Sequence, residues 1–187
     1  MKPFTEIPLL RAFGAKVYVH WSAFLIMGII LAACFRHPII GIVSIFSYFL
    51  LIYLHEIGHA YFAKRLGCRP LYINIFFLHG HCYYQQPEFR KHDCIIAWGG
   101  VVAQLVVAIP LIILAITTDL TDVPGMTPVV VILGYLSVFI AAINLTPKEP
   151  ADGSKAWSLF PILLAERRKP KKSGKVTQGP WRPNKNG

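Results

Sequence analysis

Apolar residues in this chain run in four long blocks, 18–35, 39–63, 94–117 and 128–146, separated by short polar breaks. Each block approaches the roughly 20 residues that a helix needs to cross the hydrocarbon core of a bilayer. Trp21 stands near the start of the first block as an interfacial anchor, and Arg36-His37-Pro38 breaks the first from the second. Between the second and third blocks the pattern changes. Leu71-Tyr-Ile-Asn-Ile-Phe-Phe-Leu78 is rich in β-branched and aromatic residues, and His79-Gly80 and then Cys82-Tyr-Tyr-Gln85 follow. That order predicts a short hairpin, with Lys16-Val-Tyr-Val19 as a candidate further strand. The expected fold is an all-α polytopic membrane protein of about four transmembrane helices, with a small membrane-associated hairpin or sheet in one loop. Residues 1–165 form one domain, and 166–187 form a basic tail with few apolar residues, expected to be disordered.

Composition agrees. Of 187 residues 55% are hydrophobic and only 15% charged, where soluble chains carry about 25%. The first twenty residues hold Lys2, Arg11 and Lys16 but no compact apolar core with a cleavage site, so no secretory signal peptide is expected. Cys34, Cys68, Cys82 and Cys94 show no CxxC spacing and read as free thiols.

The net charge of +10 raises the question of nucleic acid, but its placement excludes that partner. The basic residues cluster at Lys64-Arg65, Arg69, Arg90-Lys91 and in the tail, without an aromatic-interleaved basic face. Residues 117–128 carry Asp119 and Asp122 and no Lys or Arg. The excess of basic residues in cytosolic loops then puts both termini and the loop after the second block in the cytosol, with the bilayer as the chain's solvent.

The second block contains His55-Glu56-Ile57-Gly58-His59. Residues at i and i+4 share a helical face, so both imidazoles can converge on one metal ion. Glu56 projects about 100° away from His55, where a carboxylate can take the proton of an attacking water without itself being a ligand. Zinc lowers the pKa of a bound water to about 7. A polar patch on a helix-packing seam is the bland alternative, but two His and one Glu inside a span are costly without a function.

A catalytic zinc site takes a third protein ligand. The His pair lies roughly 7–15 Å inside the basic edge of its block, at 1.5 Å per helical residue. Asp119 and Asp122 are on the other side; Glu88, Asp93 and Glu149 are on the right side but outside the membrane. Asp152 follows a block broken by Pro147 and Pro150, so the chain can turn back there at matching depth. It is the candidate third ligand; capping the helix that begins at Gly153 is the alternative.

His55-Glu56-xx-His59 together with Asn144-Leu-Thr-Pro147 and Asp152-Gly153 resembles the site-2 protease family of intramembrane zinc metalloproteases, over about residues 16–165. In that family a later NxxPxxxxDG-like stretch supplies the third ligand. The resemblance implies one Zn²⁺ per chain on His55, His59 and Asp152, with Glu56 as the catalytic residue. It further implies that Asn144 positions the substrate, with a helix-to-helix hydrogen bond as the alternative. Gly99-Gly100-Val-Val-Ala-Gln104 is similar to the family's AGPxxN stretch, with Val101 in place of Pro and Gln104 in place of Asn. Small residues that let helices approach account for the glycines. The form is minimal, with no PDZ-like module, and in similar proteins a small sheet holds an unwound substrate as an added strand.

The expected function is hydrolysis of a peptide bond in or near a transmembrane segment of another membrane protein. The setting expected is a prokaryotic plasma membrane, with an accessory or regulatory membrane protein as a further candidate partner. The alternatives are a catalytically silent membrane scaffold and an ion or proton transporter using the intramembrane His and Glu.

Overall fold

A computed structural model describes residues 4–168; of the tail expected over 166–187, residues 169–187 lie outside the described residues. The chain order is β1 (Phe4–Ala12), β2 (Ala15–His20), α1 (Ala23–Ala33), α2 (Pro38–Arg65), β3 (Pro70–Ile75), β4 (Gly80–Tyr84) and α3 (Arg90–Thr117). After α3 come α4 (Met126–Asn144), α5 (Gly153–Ala156) and α6 (Leu159–Arg168). Residues 166–168 therefore close a helix, where the sequence suggested the start of a disordered tail.

Three helices among the described residues are long and apolar enough to cross a membrane: α2, α3 and α4. The first expected span differs. Tyr18, Val19 and His20 belong to β2, and the helix that follows has 11 residues, about 16 Å at 1.5 Å per residue. β2 and α1 run in series beside α2. At one end the ring of Phe13 meets Tyr61 at 5.3 Å; at the other a Cβ on Gly41 would sit 3.0 Å from Cys34 Cβ.

The four strands form one sheet in the order β1-β2-β3-β4, with β2 and β3 parallel and the outer pairs antiparallel. β1 was not foreseen; it is joined to β2 by the two-residue turn Phe13-Gly14, both at positive φ (52° and 103°), the geometry two-residue hairpins favour. The inner face, with Ala15, Val17, Ile73, Ile75 and Cys82, packs on Tyr48, Leu51, Ile52 and Ala60 of α2. Tyr48 donates its hydroxyl proton to the Phe77 carbonyl at 2.8 Å. The sheet thus lies along the membrane-length part of α2. Strand backbone is tolerated at such depth only against protein or a water-filled cavity; this sheet packs against α2 and borders a cavity along β4.

The exit from α2 is fixed locally. Gly67 takes φ +80°, and the Cys68 and Gly67 N–H groups return to the Ala63 and Lys64 carbonyls at 2.9 and 3.2 Å. This is the glycine-dependent helix stop that satisfies the last carbonyls, and it aims the chain into β3. Cys68 and Ala63 then share a buried cluster with Ile96 of α3. α2 and α3 touch where Gly58 meets Gly99, so closely that a side chain on either would strike the other's backbone. The middle of α4, Val130–Leu136, is wound with π-helical hydrogen bonding, which the sequence did not signal.

Candidate metal centre

The α2–α3 contact at Gly58 and Gly99 sets the site, because His55 and His59 lie on the same side of α2 and are 8% and 6% exposed. His59 Nδ1 donates to the Ile96 carbonyl at 2.8 Å, and His55 Nδ1 donates to Gln104 Oε1 at 2.9 Å. Both Nε2 atoms then carry lone pairs, and they stand 3.1 Å apart. Gly100 makes the meeting possible: a Cβ there would lie 2.5 Å from His59 Nε2 and 2.6 Å from His55 Cε1.

Asp152 joins them from the loop after α4. Its Oδ2 lies 3.0 Å from His55 Nε2 and 3.2 Å from His59 Nε2. The loop is folded tightly enough that a Cβ on Gly153 would collide with the Leu145 and Thr146 carbonyls. Trp157 Nε1 donates to the Leu145 carbonyl at 2.6 Å, and Trp98 Nε1 of α3 donates to the Ala156 carbonyl at 3.0 Å. Asp152 precedes α5 but makes no side-chain cap bond to it; its carboxylate faces the imidazoles instead.

These three side chains are the grouping among the described residues that could hold a metal ion. The donor set fits zinc. Two imidazole lone pairs and a carboxylate converge with no proton of their own to share, an arrangement that a cation stabilises. Their 3.0–3.2 Å separations are close to the roughly 3.3 Å edge of a tetrahedron with bonds of 2.0–2.1 Å. His79 and His81, adjacent on the β3–β4 loop and β4, do not join a metal grouping. Burial lowers the pKa of His81 below the ordinary imidazole value, which favours its neutral form near pH 7.

Glu56 is 3% exposed and points toward β4, where a Cβ on Gly80 would lie 2.5 Å from its Oε1. Asn144 Nδ2 lies 3.5 and 3.4 Å from the two nitrogens of His55. A cavity of about 840 Å³ opens here, lined on one side by every residue of β4 and on the other by Lys148–Asp152. Gln104 was read from the sequence as a departure from the family's Asn; it is fully buried at the site and touches His55. Its signal was the i+4 spacing from Gly100, which puts both residues on the face of α3 turned to the imidazoles.

No family model matches the chain. It is similar to the "Site-2 Protease from Methanocaldococcus jannaschii", with a TM-score of 0.64 and 20% identity over 88% of this chain and 74% of that one. It is also 27% identical over 178 residues to a Synechocystis sp. (strain ATCC 27184 / PCC 6803 / Kazusa) protein named "Putative zinc metalloprotease", and spans 46% of that relative's length. The class is thus a membrane-helix protein with a small sheet and a buried His-His-Asp centre, and its fold is that of a site-2 protease.

Proposed function

We propose that the chain is an intramembrane zinc metalloprotease that hydrolyses a peptide bond in or near a transmembrane segment of another membrane protein. The observation that carries the reading is the convergence of His55 Nε2, His59 Nε2 and Asp152 Oδ2 beside the buried Glu56, at the cleft along β4. His55, His59 and Asp152 would hold a zinc ion, which would supply a Lewis acid for the scissile carbonyl and make water acidic enough to attack at neutral pH.

The chain's own groups do the rest. Glu56 accepts a proton from the attacking water and passes it to the departing amine as the C–N bond breaks. Asn144 directs an amide N–H at the substrate carbonyl as negative charge develops on it. The substrate enters unwound. A helix hides its carbonyls, whereas a strand laid along the unpaired side of β4 exposes them and satisfies its own amides through the sheet. Both termini of the 1–165 domain face the cytosol of a prokaryotic cell in this reading.

Glu56→Gln tests the mechanism. It keeps the shape and cannot take the proton. Cleavage of a transmembrane substrate in detergent should fall about 10²–10⁴-fold with zinc content unchanged, while His59→Ala should lose both. Normal cleavage by zinc-loaded Glu56→Gln protein would sink the proposal.

A further inference from the structure

The two imidazoles of the centre are held by different kinds of partner. His59 Nδ1 donates to the Ile96 carbonyl, a backbone group that no side-chain substitution removes. His55 Nδ1 donates to a side chain, Gln104 Oε1, at 2.9 Å. Gln104 is 0% exposed, and its Nε2 is buried without a hydrogen-bond partner. A leucine would occupy this apolar helix face with no orphaned donor. What the amide offers that leucine cannot is the acceptor for His55.

We propose that Gln104 is the positioning residue of the metal centre, the group that sets the tautomer and ring orientation of His55. This inference rests on the His55–His59–Asp152 centre read above. The amide has two ways to sit. With Oε1 on Nδ1, the imidazole proton is on Nδ1 and the Nε2 lone pair faces His59 and Asp152. Turned over, an N–H would face Nδ1, the ring proton would move to Nε2, and that proton would point at the place a cation occupies. Cation binding and amide orientation are therefore coupled. Partners of this kind typically change metal affinity by about 10- to 100-fold. Gln104 touches no reacting atom, and its effect reaches the chemistry through His55 alone.

The test is zinc affinity, measured by chelator competition on purified full-length protein, with cobalt(II) absorption as an independent report on ligand geometry. Gln104→Leu should bind zinc about 10- to 100-fold more weakly and change the cobalt spectrum, while the metal-free protein melts no lower than wild type. Gln104→Glu restores an acceptor for Nδ1–H and should bind zinc at least as tightly as wild type. Zinc affinity of Gln104→Leu within twofold of wild type would overturn the proposal, as would Gln104→Glu binding as weakly as Gln104→Leu. If Gln104→Leu fails to fold, Gln104→Met, which also lacks the amide oxygen, takes its place; if Gln104→Glu fails to fold, the affinity of Gln104→Leu alone decides. A wild-type protein that binds no zinc overturns both this inference and the metalloprotease reading; unchanged affinity in a zinc-binding wild type overturns this one alone.

Discussion

At position 100 the difference between a hydrogen and a methyl group decides whether two imidazoles can meet. A Cβ there would stand 2.5–2.8 Å from atoms of both rings, closer than non-bonded atoms approach. The rings cannot yield without separating their Nε2 atoms, because each Nδ1 is tied to a fixed acceptor. Gly100→Ala should therefore reduce bound zinc at least about tenfold, as removing a ligand's supporting partner does. Gly28→Ala in α1, where nothing lies within 4 Å of the new methyl, should keep it, and elemental analysis of the two proteins side by side settles the matter. The i, i+4 pair and the turn back to Asp152 were legible in the sequence because both follow from spacing within one stretch of chain. The fit of Gly100 and Gln104 was not, because it depends on how far α3 is rotated about its axis when it packs on α2, and periodicity does not report that angle.

At the scale of elements one carboxylate, Asp93, links the edge strand β4 to α3 and α5. Tyr84 on β4 donates to Asp93 Oδ1 at 2.8 Å, and Lys155 on α5 pairs with Asp93 Oδ2 at 3.3 Å. Asp93 sits in the first turn of α3, so a single side chain links the edge strand to the segment that carries Asp152. Burial pushes the Tyr84 phenol up and the bond to Asp93 pushes it further, which keeps it a donor throughout the physiological range. A hydrogen bond to a charged group contributes about 1.5–3 kcal/mol, whereas Lys155, 56% exposed, gains little from its pair. Thermal unfolding should accordingly rank Tyr84→Phe below wild type by several degrees and Lys155→Ala close to wild type; equal melting of all three would remove Asp93 as a tie. The β3–β4 hairpin was readable from its β-branched and aromatic runs. β1 was not, since Phe4–Ala12 carries Glu6, Pro8 and Arg11 and becomes a strand through its pairing with β2 rather than through its own pattern.

For the whole molecule, the open question is how the chain before α2 crosses the membrane when α1 has only 11 residues. The sheet, chiefly through β4 and β3, packs on the half of α2 that holds the metal ligands, and α1 packs on the half toward Pro38; we expect β2 and α1 in series to make the crossing. Such a crossing has a definite topology. β2 pairs with β1 and β3, and Phe13 in the β1–β2 turn meets Tyr61 of α2, so that turn lies at the same end as the loop between α2 and α3. Lys155 and Glu166 pair with Asp93 and Lys91 at that end too. The Arg36 turn lies at the other end together with Gly125, whose Cβ position is 3.8 Å from Val43. In the orientation proposed above, the basic loop puts the first end in the cytosol. In a cysteine-free background, a membrane-impermeant thiol reagent applied to intact cells should therefore label Asp122→Cys and Phe35→Cys, the latter position being 83% exposed, and should miss Glu88→Cys until the cells are opened. Labelling of Asp122→Cys but not Phe35→Cys would mean that β2 and α1 do not cross together. Labelling of Glu88→Cys alone would invert the orientation and put the mouth of the cleft along β4 on the outside.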